Sequence, residues 1–136
     1  MVRTFSETWD YIESLFQANA ATLGIDAGAI KLGDRETPAR APFLTVYLIP
    51  SSIMKAESGA GGHFRATCIV FAGVKPAKTL ADSIKSAVDL AGKVLSVLRT
   101  DRTLTTFMYD SPVEFDEDSS IYTATSITFE VPYKLL

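Results

Sequence analysis

From Ile121 to Tyr133 the chain alternates without a break between two kinds of residue. Ile121, Thr123, Thr125, Ile127, Phe129, Val131 and Tyr133 fall on one side, and Tyr122, Ala124, Ser126, Thr128 and Glu130 on the other. Alternation over thirteen residues is the repeat of an extended chain, whose successive side chains point to opposite faces. A strand of this length needs partners. The pattern therefore predicts a sheet in which this strand is antiparallel, with one face in the core and the other wet or covered by a neighbour.

Other segments supply the partners. Phe43, Leu44, Thr45, Val46, Tyr47, Leu48 and Ile49 form a nearly unbroken apolar run before Pro50, which reads as a strand covered on both faces. His63 to Ala72 places Phe64, Ala66, Cys68 and Val70 in alternation with Arg65, Thr67, Ile69 and Phe71. Ala29 to Leu32 reads as a short strand, and Phe107, Tyr109, Val113 and Phe115 mark another, interrupted by Pro112. Asp116 to Ser120 is predicted to turn that strand into the final one, with the three acids at a solvated tip.

Two stretches carry a helical repeat. Thr4 and Glu7 have the spacing of a capping box, and Phe5, Trp9, Ile12, Leu15, Phe16, Ala20 and Leu23 follow at three- and four-residue steps. One helix is predicted here, stopped by Gly24. Thr79 precedes a second, with Leu80, Ile84, Ala87, Val88, Ala91, Leu95 and Leu98 along its expected core side. Asp82 near its start and Lys93 and Arg99 near its end suit the helix dipole. The expected architecture is one α+β domain over 1–136: an antiparallel or mixed sheet of four to five strands, with two helices packed on one face.

Composition narrows the function. With 47% apolar and 21% charged residues in 136, the chain has the make-up of a globular domain. Its net charge is −3, and its lysines and arginines are scattered rather than lined up. Such a surface gives no footprint for sequence-specific or phosphate-tracking nucleic-acid binding. No apolar run approaches the ~20 residues that span a bilayer, and the first residues lack the apolar stretch of a secretion signal. These features predict folding in the cytoplasm with no membrane partner. The single cysteine, Cys68, sits inside an apolar strand and reads as a core residue.

A search for chemistry leads to an expectation of no catalytic, cofactor or metal site. His63 is the only histidine, and no activated serine or cysteine with an orienting carboxylate is recognisable near it. Gly59, Gly61 and Gly62 lack the helix start that a phosphate loop requires. Asp116, Glu117 and Asp118 are consecutive rather than spaced as calcium ligands. The segment Ser51 to Gly62 reads instead as a long glycine-bearing loop.

The layout resembles that of the bacteriophage tail-terminator and minor tail proteins, across nearly the whole chain. The matching features begin with the helix from Trp9 to Leu23 followed by Gly24. Pro42 then leads into Phe43, Leu44, Thr45, Val46 and Tyr47, and the glycine-bearing loop leads into a long strand. A helix ending in Val94 to Arg99 precedes Asp101, Arg102, Thr103 and Leu104, and a closing strand runs from Ile127 to Tyr133. The resemblance implies a structural virion protein made in the host bacterial cytoplasm and built into the tail. It would form a ring of its own copies, usually a hexamer, at the head-proximal end, stop polymerisation of the tail-tube protein and contact the head connector. Ser58, Gly59, Gly61, Gly62 and His63 of the loop, with Tyr122, Ser126 and Thr128 of the last strand, are the expected subunit-interface residues. Two other readings stand beside it: a neighbouring neck or head–tail joining subunit, and a small ligand-binding domain or enzyme with its site near His63.

Overall fold

The computed structural model describes residues 3–33, 41–50, 63–101, 108–118 and 121–134, with only the backbone described at residue 63 and over 108–118. Helix α1 (Phe5–Ala18) is followed by a short α2 (Ala20–Leu23) and a 3₁₀ turn over Ala27–Ala29. Strands β1 (Ile30–Leu32), β2 (Phe43–Pro50) and β3 (His63–Val74) come next. Helix α3 (Leu80–Arg99) then precedes β4 (Met108–Asp118) and β5 (Thr123–Lys134).

The strands form one mixed sheet in the order β1-β2-β3-β5-β4, four long strands with the three-residue β1 at one edge. Only β1 and β2 are parallel; every other pair is antiparallel. β3 is central, and β5 beside it is paired with it along its whole length, from Thr123↔Val74 to Lys134↔His63. Because β3 and β4 both oppose β5, they run parallel to each other, and α3 is the crossover between them. The fold class is α+β, as the sequence predicts.

One face of the sheet holds the core. Leu44, Val46 and Leu48 of β2, Ala66, Cys68, Val70 and Ala72 of β3, and Ile127, Phe129, Val131 and Tyr133 of β5 share it. Ile12 and Phe16 of α1 and Leu90, Ala91, Val94, Val97 and Leu98 of α3 pack down on them. Both long helices therefore lie on the same side of the sheet.

Local chemistry sets the helix ends. The Thr4 hydroxyl accepts the Glu7 N–H at 3.2 Å, while the Glu7 carboxylate accepts the Thr4 N–H at 3.0 Å, closing the capping box. The expected single N-terminal helix is broken at Asn19, whose side-chain amide donates to the Leu15 carbonyl at 2.8 Å. Its own N–H reaches the Phe16 carbonyl, a tight turn that splits α1 from α2. Gly24 (φ 70°) then ends α2 in the left-handed conformation that glycine adopts without strain. On α3, the Thr79 hydroxyl accepts the Asp82 N–H at 3.2 Å. Ser83 is buried and accepts the Ala77 N–H at 2.8 Å, tying the turn after β3 to the helix.

Three expectations are corrected. The buried side of α3 carries Ser83, Ala87, Leu90, Ala91, Val94, Val97 and Leu98, while Leu80, Ile84 and Val88 face solvent. β2 is covered on both faces only from Phe43 to Val46; Ile49 and Pro50 are exposed. Asp116, Glu117 and Asp118 belong to β4 rather than to a turn, while the interruption expected at Pro112 falls where the pairing with β5 is irregular, between Met108 and Val113. A proline is tolerated there because β4 is the edge strand of the described sheet. The pairing of β4 with β5 also shifts register on either side of Val113 and Phe115.

Candidate functional site

The sheet has a second face with no described helix on it. Its rows cross β2, β3 and β5 and are fixed by the register: Phe43–Gly73–Ala124, Thr45–Phe71–Ser126, Tyr47–Ile69–Thr128 and Ile49–Thr67–Glu130. The first row is roofed by the chain itself. Phe43, buried, meets Tyr122 edge-on at 5.2 Å between ring centroids, and Phe71 closes the cluster at 6.1 Å from Phe43 and 6.0 Å from Tyr122. Tyr122 and Ala124 are therefore inside the molecule, not on the wet side of the last strand.

Tyr47, Ile69, Phe71, Ser126 and Thr128 are half-buried and Ile49 is exposed. No charged residue occupies the β2, β3 and β5 positions of the rows from Phe43 to Thr128. Charge begins at the border, with exposed Lys31 paired beside Thr45 and the Arg65–Glu130 ion pair at 3.0 Å. A solvated sheet face normally alternates charged residues with its core positions. An uncharged centre inside a polar rim is the make-up of a protein–protein contact.

Of the expected interface residues, Ser126 and Thr128 lie together on this face, and Tyr122 is buried at its end in the ring cluster with Phe43 and Phe71. Ser58, Gly59, Gly61 and Gly62 lie outside the described residues. His63 opens β3, its backbone paired with Lys134. What the sequence reading missed is the β2–β3 half of the face, Tyr47, Ile49 and Ile69. Those residues look like any strand interior until the register places them on the face that no described helix covers.

The described cavities offer no competing chemistry. A cleft of about 780 Å³ lies between Asp26, Ala41, Pro42, Lys75 and Ile121. It is at the Val74 end of β3, a strand of twelve residues from His63. Its acid and its base are both exposed. Among the described residues no group of three or more metal-ligating side chains converges.

The perturbed titrating groups are structural in placement. Burial pushes the Cys68 thiol well above its ordinary value, which keeps it protonated and unreactive. Tyr11 donates a hydrogen bond to the Asp101 carboxylate, which raises the phenol pKa with a smaller contribution from burial. The Arg3 guanidinium stacks over the same ring at 3.6 Å from its centroid. This cluster joins the segment before α1 to the residue after α3. Glu7 is held below the usual carboxylate range by its hydrogen bonds in the capping box.

No described helix is long and apolar enough to cross a membrane. Compared with known proteins, the sequence matches no family model and none of the curated proteins.

Proposed function

We propose that this protein is a structural subunit that works by assembling with its own copies, and that its place is the tail terminator of a phage or prophage-derived tail. The observation that carries the reading is the uncharged face centred on Tyr47, Ile69, Ser126 and Thr128, which carries no described helix and is bordered by Lys31 and the Arg65–Glu130 pair. Apolar side chains on a sheet face without charge at its centre suit burial against a partner subunit. The order of elements adds support, since the N-terminal helical segment ending at Gly24, the strand after Pro42, the long α3 and the closing β5 come in the order of the layout that the sequence resembles, with the N-terminal helix split at Asn19. In this reading the ring, usually a hexamer, caps the tail-tube protein and presents a surface to the head connector; the subunit binds no cofactor and transforms no substrate.

Electron microscopy of particles assembled without the protein tests this. Tails of uncontrolled length that fail to join heads are expected. Tails of normal length joined to heads would remove the terminator role, and normal-length tails left unjoined would move the protein to the neighbouring neck position.

A further inference from the structure

The first and last described residues meet. The Lys134 N–H donates to the Arg3 carbonyl at 2.9 Å, and Thr4 pairs with Lys134 in a single parallel bridge. The Arg3 guanidinium lies 3.6 Å over the centre of the Tyr11 ring. Tyr11 in turn donates to the carboxylate of Asp101, next to the Thr100 that caps α3. One line of contacts therefore joins the entry to α1, the end of β5 and the exit from α3, which are far apart in the chain.

This joint differs from the core it borders. Arg3, Thr4, Phe5, Tyr11, Asp101 and Lys134 are half-buried, whereas Ile127, Phe129 and Val131 further back on β5 are buried. A one-residue bridge holds Thr4 to β5, against the full-length pairing of β5 with β3. Joints of few, partly exposed bonds open at lower free energy than a core ladder does. The links also support one another. Asp101 raises the Tyr11 pKa through its hydrogen bond while Arg3 opposes it, so opposite charges are held on one phenol and each favours the other's presence there.

We propose that Arg3 and Thr4 form a strap that comes off together with the Tyr11–Asp101 link, releasing the ends of β5 and α3 in one step while the sheet stays folded. Opening has a defined consequence. Thr4 is also the N-cap of α1, so its departure undoes the capping box and loosens Phe5, which packs edge-on against Tyr133 at 5.2 Å. Tyr133 is otherwise 1% exposed. The strap works within one subunit and does not depend on the assembly reading.

Native-state hydrogen exchange on the full chain tests the strap, read at the Lys134 and Asp101 amides, which donate to the Arg3 and Leu98 carbonyls. Both are expected to exchange faster than the amides of the β3–β5 ladder. Tyr11→Phe keeps the ring under Arg3 and loses the bond to Asp101; it is expected to speed Lys134 roughly fivefold, the factor for one hydrogen bond. Arg3→Ala keeps the backbone carbonyl that Lys134 uses and is expected to speed Asp101 by a comparable factor. The ladder amides should remain the slowest in both variants, which shows that the fold persists. An unchanged Lys134 in Tyr11→Phe, or an unchanged Asp101 in Arg3→Ala, would overturn opening as a unit. So would Lys134 and Asp101 amides no faster than the ladder in the unaltered protein, because the strap would then have no opening of its own.

Discussion

Gly73 sits directly across from Phe43 in the β2–β3 ladder, and a side chain on Gly73 would overlap the Phe43 ring. The glycine is the floor on which the Phe43–Phe71–Tyr122 cluster rests. A strand glycine of this kind marks a close approach rather than a need for unusual backbone angles. Gly73→Ala is expected to destabilise the protein by about 1–3 kcal/mol, the range for overpacking a tight site. Urea unfolding checks the value. In combination with Phe43→Leu the cost should fall below the sum of the single variants, because the smaller side chain vacates the contested space.

Thr45 and Thr125 are buried, and neither hydroxyl has a hydrogen-bond partner among the described residues. A buried hydroxyl without a partner carries its desolvation cost uncompensated. Thr45→Val and Thr125→Val keep the shape and remove the polar atom. Each is expected to raise stability by about 1 kcal/mol, seen as a higher urea midpoint with an unchanged slope. A loss of stability at either position would show that its hydroxyl is satisfied in solution.

Tyr11 ties the first helix to Asp101 beyond the end of the last. Tyr11→Phe is expected to cost about 1 kcal/mol at neutral pH, a modest figure because the pair is only partly shielded from solvent. The pH dependence has a definite sign. Folding raises the Tyr11 pKa above its ordinary value of 10.0, so the bond contributes fully below that pH. As pH rises further the unfolded chain loses its proton first and the contribution declines. The stability gap between wild type and Tyr11→Phe should therefore be constant through neutral pH and narrow in the alkaline range.

Cys68 lies wholly within the core between β2 and β5, paired across the ladders with Leu48 and Phe129. Its protonated, inaccessible thiol is expected to ignore a thiol-reactive dye in the native state and to react fully once urea unfolds the chain. Fast labelling of the folded protein would place the thiol outside the core.

The sequence by itself determined the elements wherever one face of an element was core and the other was not. The alternation in β5 and the boxed start at Thr4 and Glu7 settle a strand and a helix from neighbours alone, because side-chain period and capping are local physics. It did not determine which apolar residues are buried. On α3, Ile84 and Val88 belong to the same periodic stripe as Ala87 and Ala91, yet only the latter two are buried. Periodicity specifies a face about a third of a helix wide, whereas the angle at which the helix is set on β3 and β5 decides which edge of that face is covered. Tyr122 shows the converse: read as surface from its alternation, it is drawn inside by Phe43 and Phe71, residues far from it in the chain. Burial is a property of what lies opposite, and what lies opposite is fixed only when the sheet is assembled.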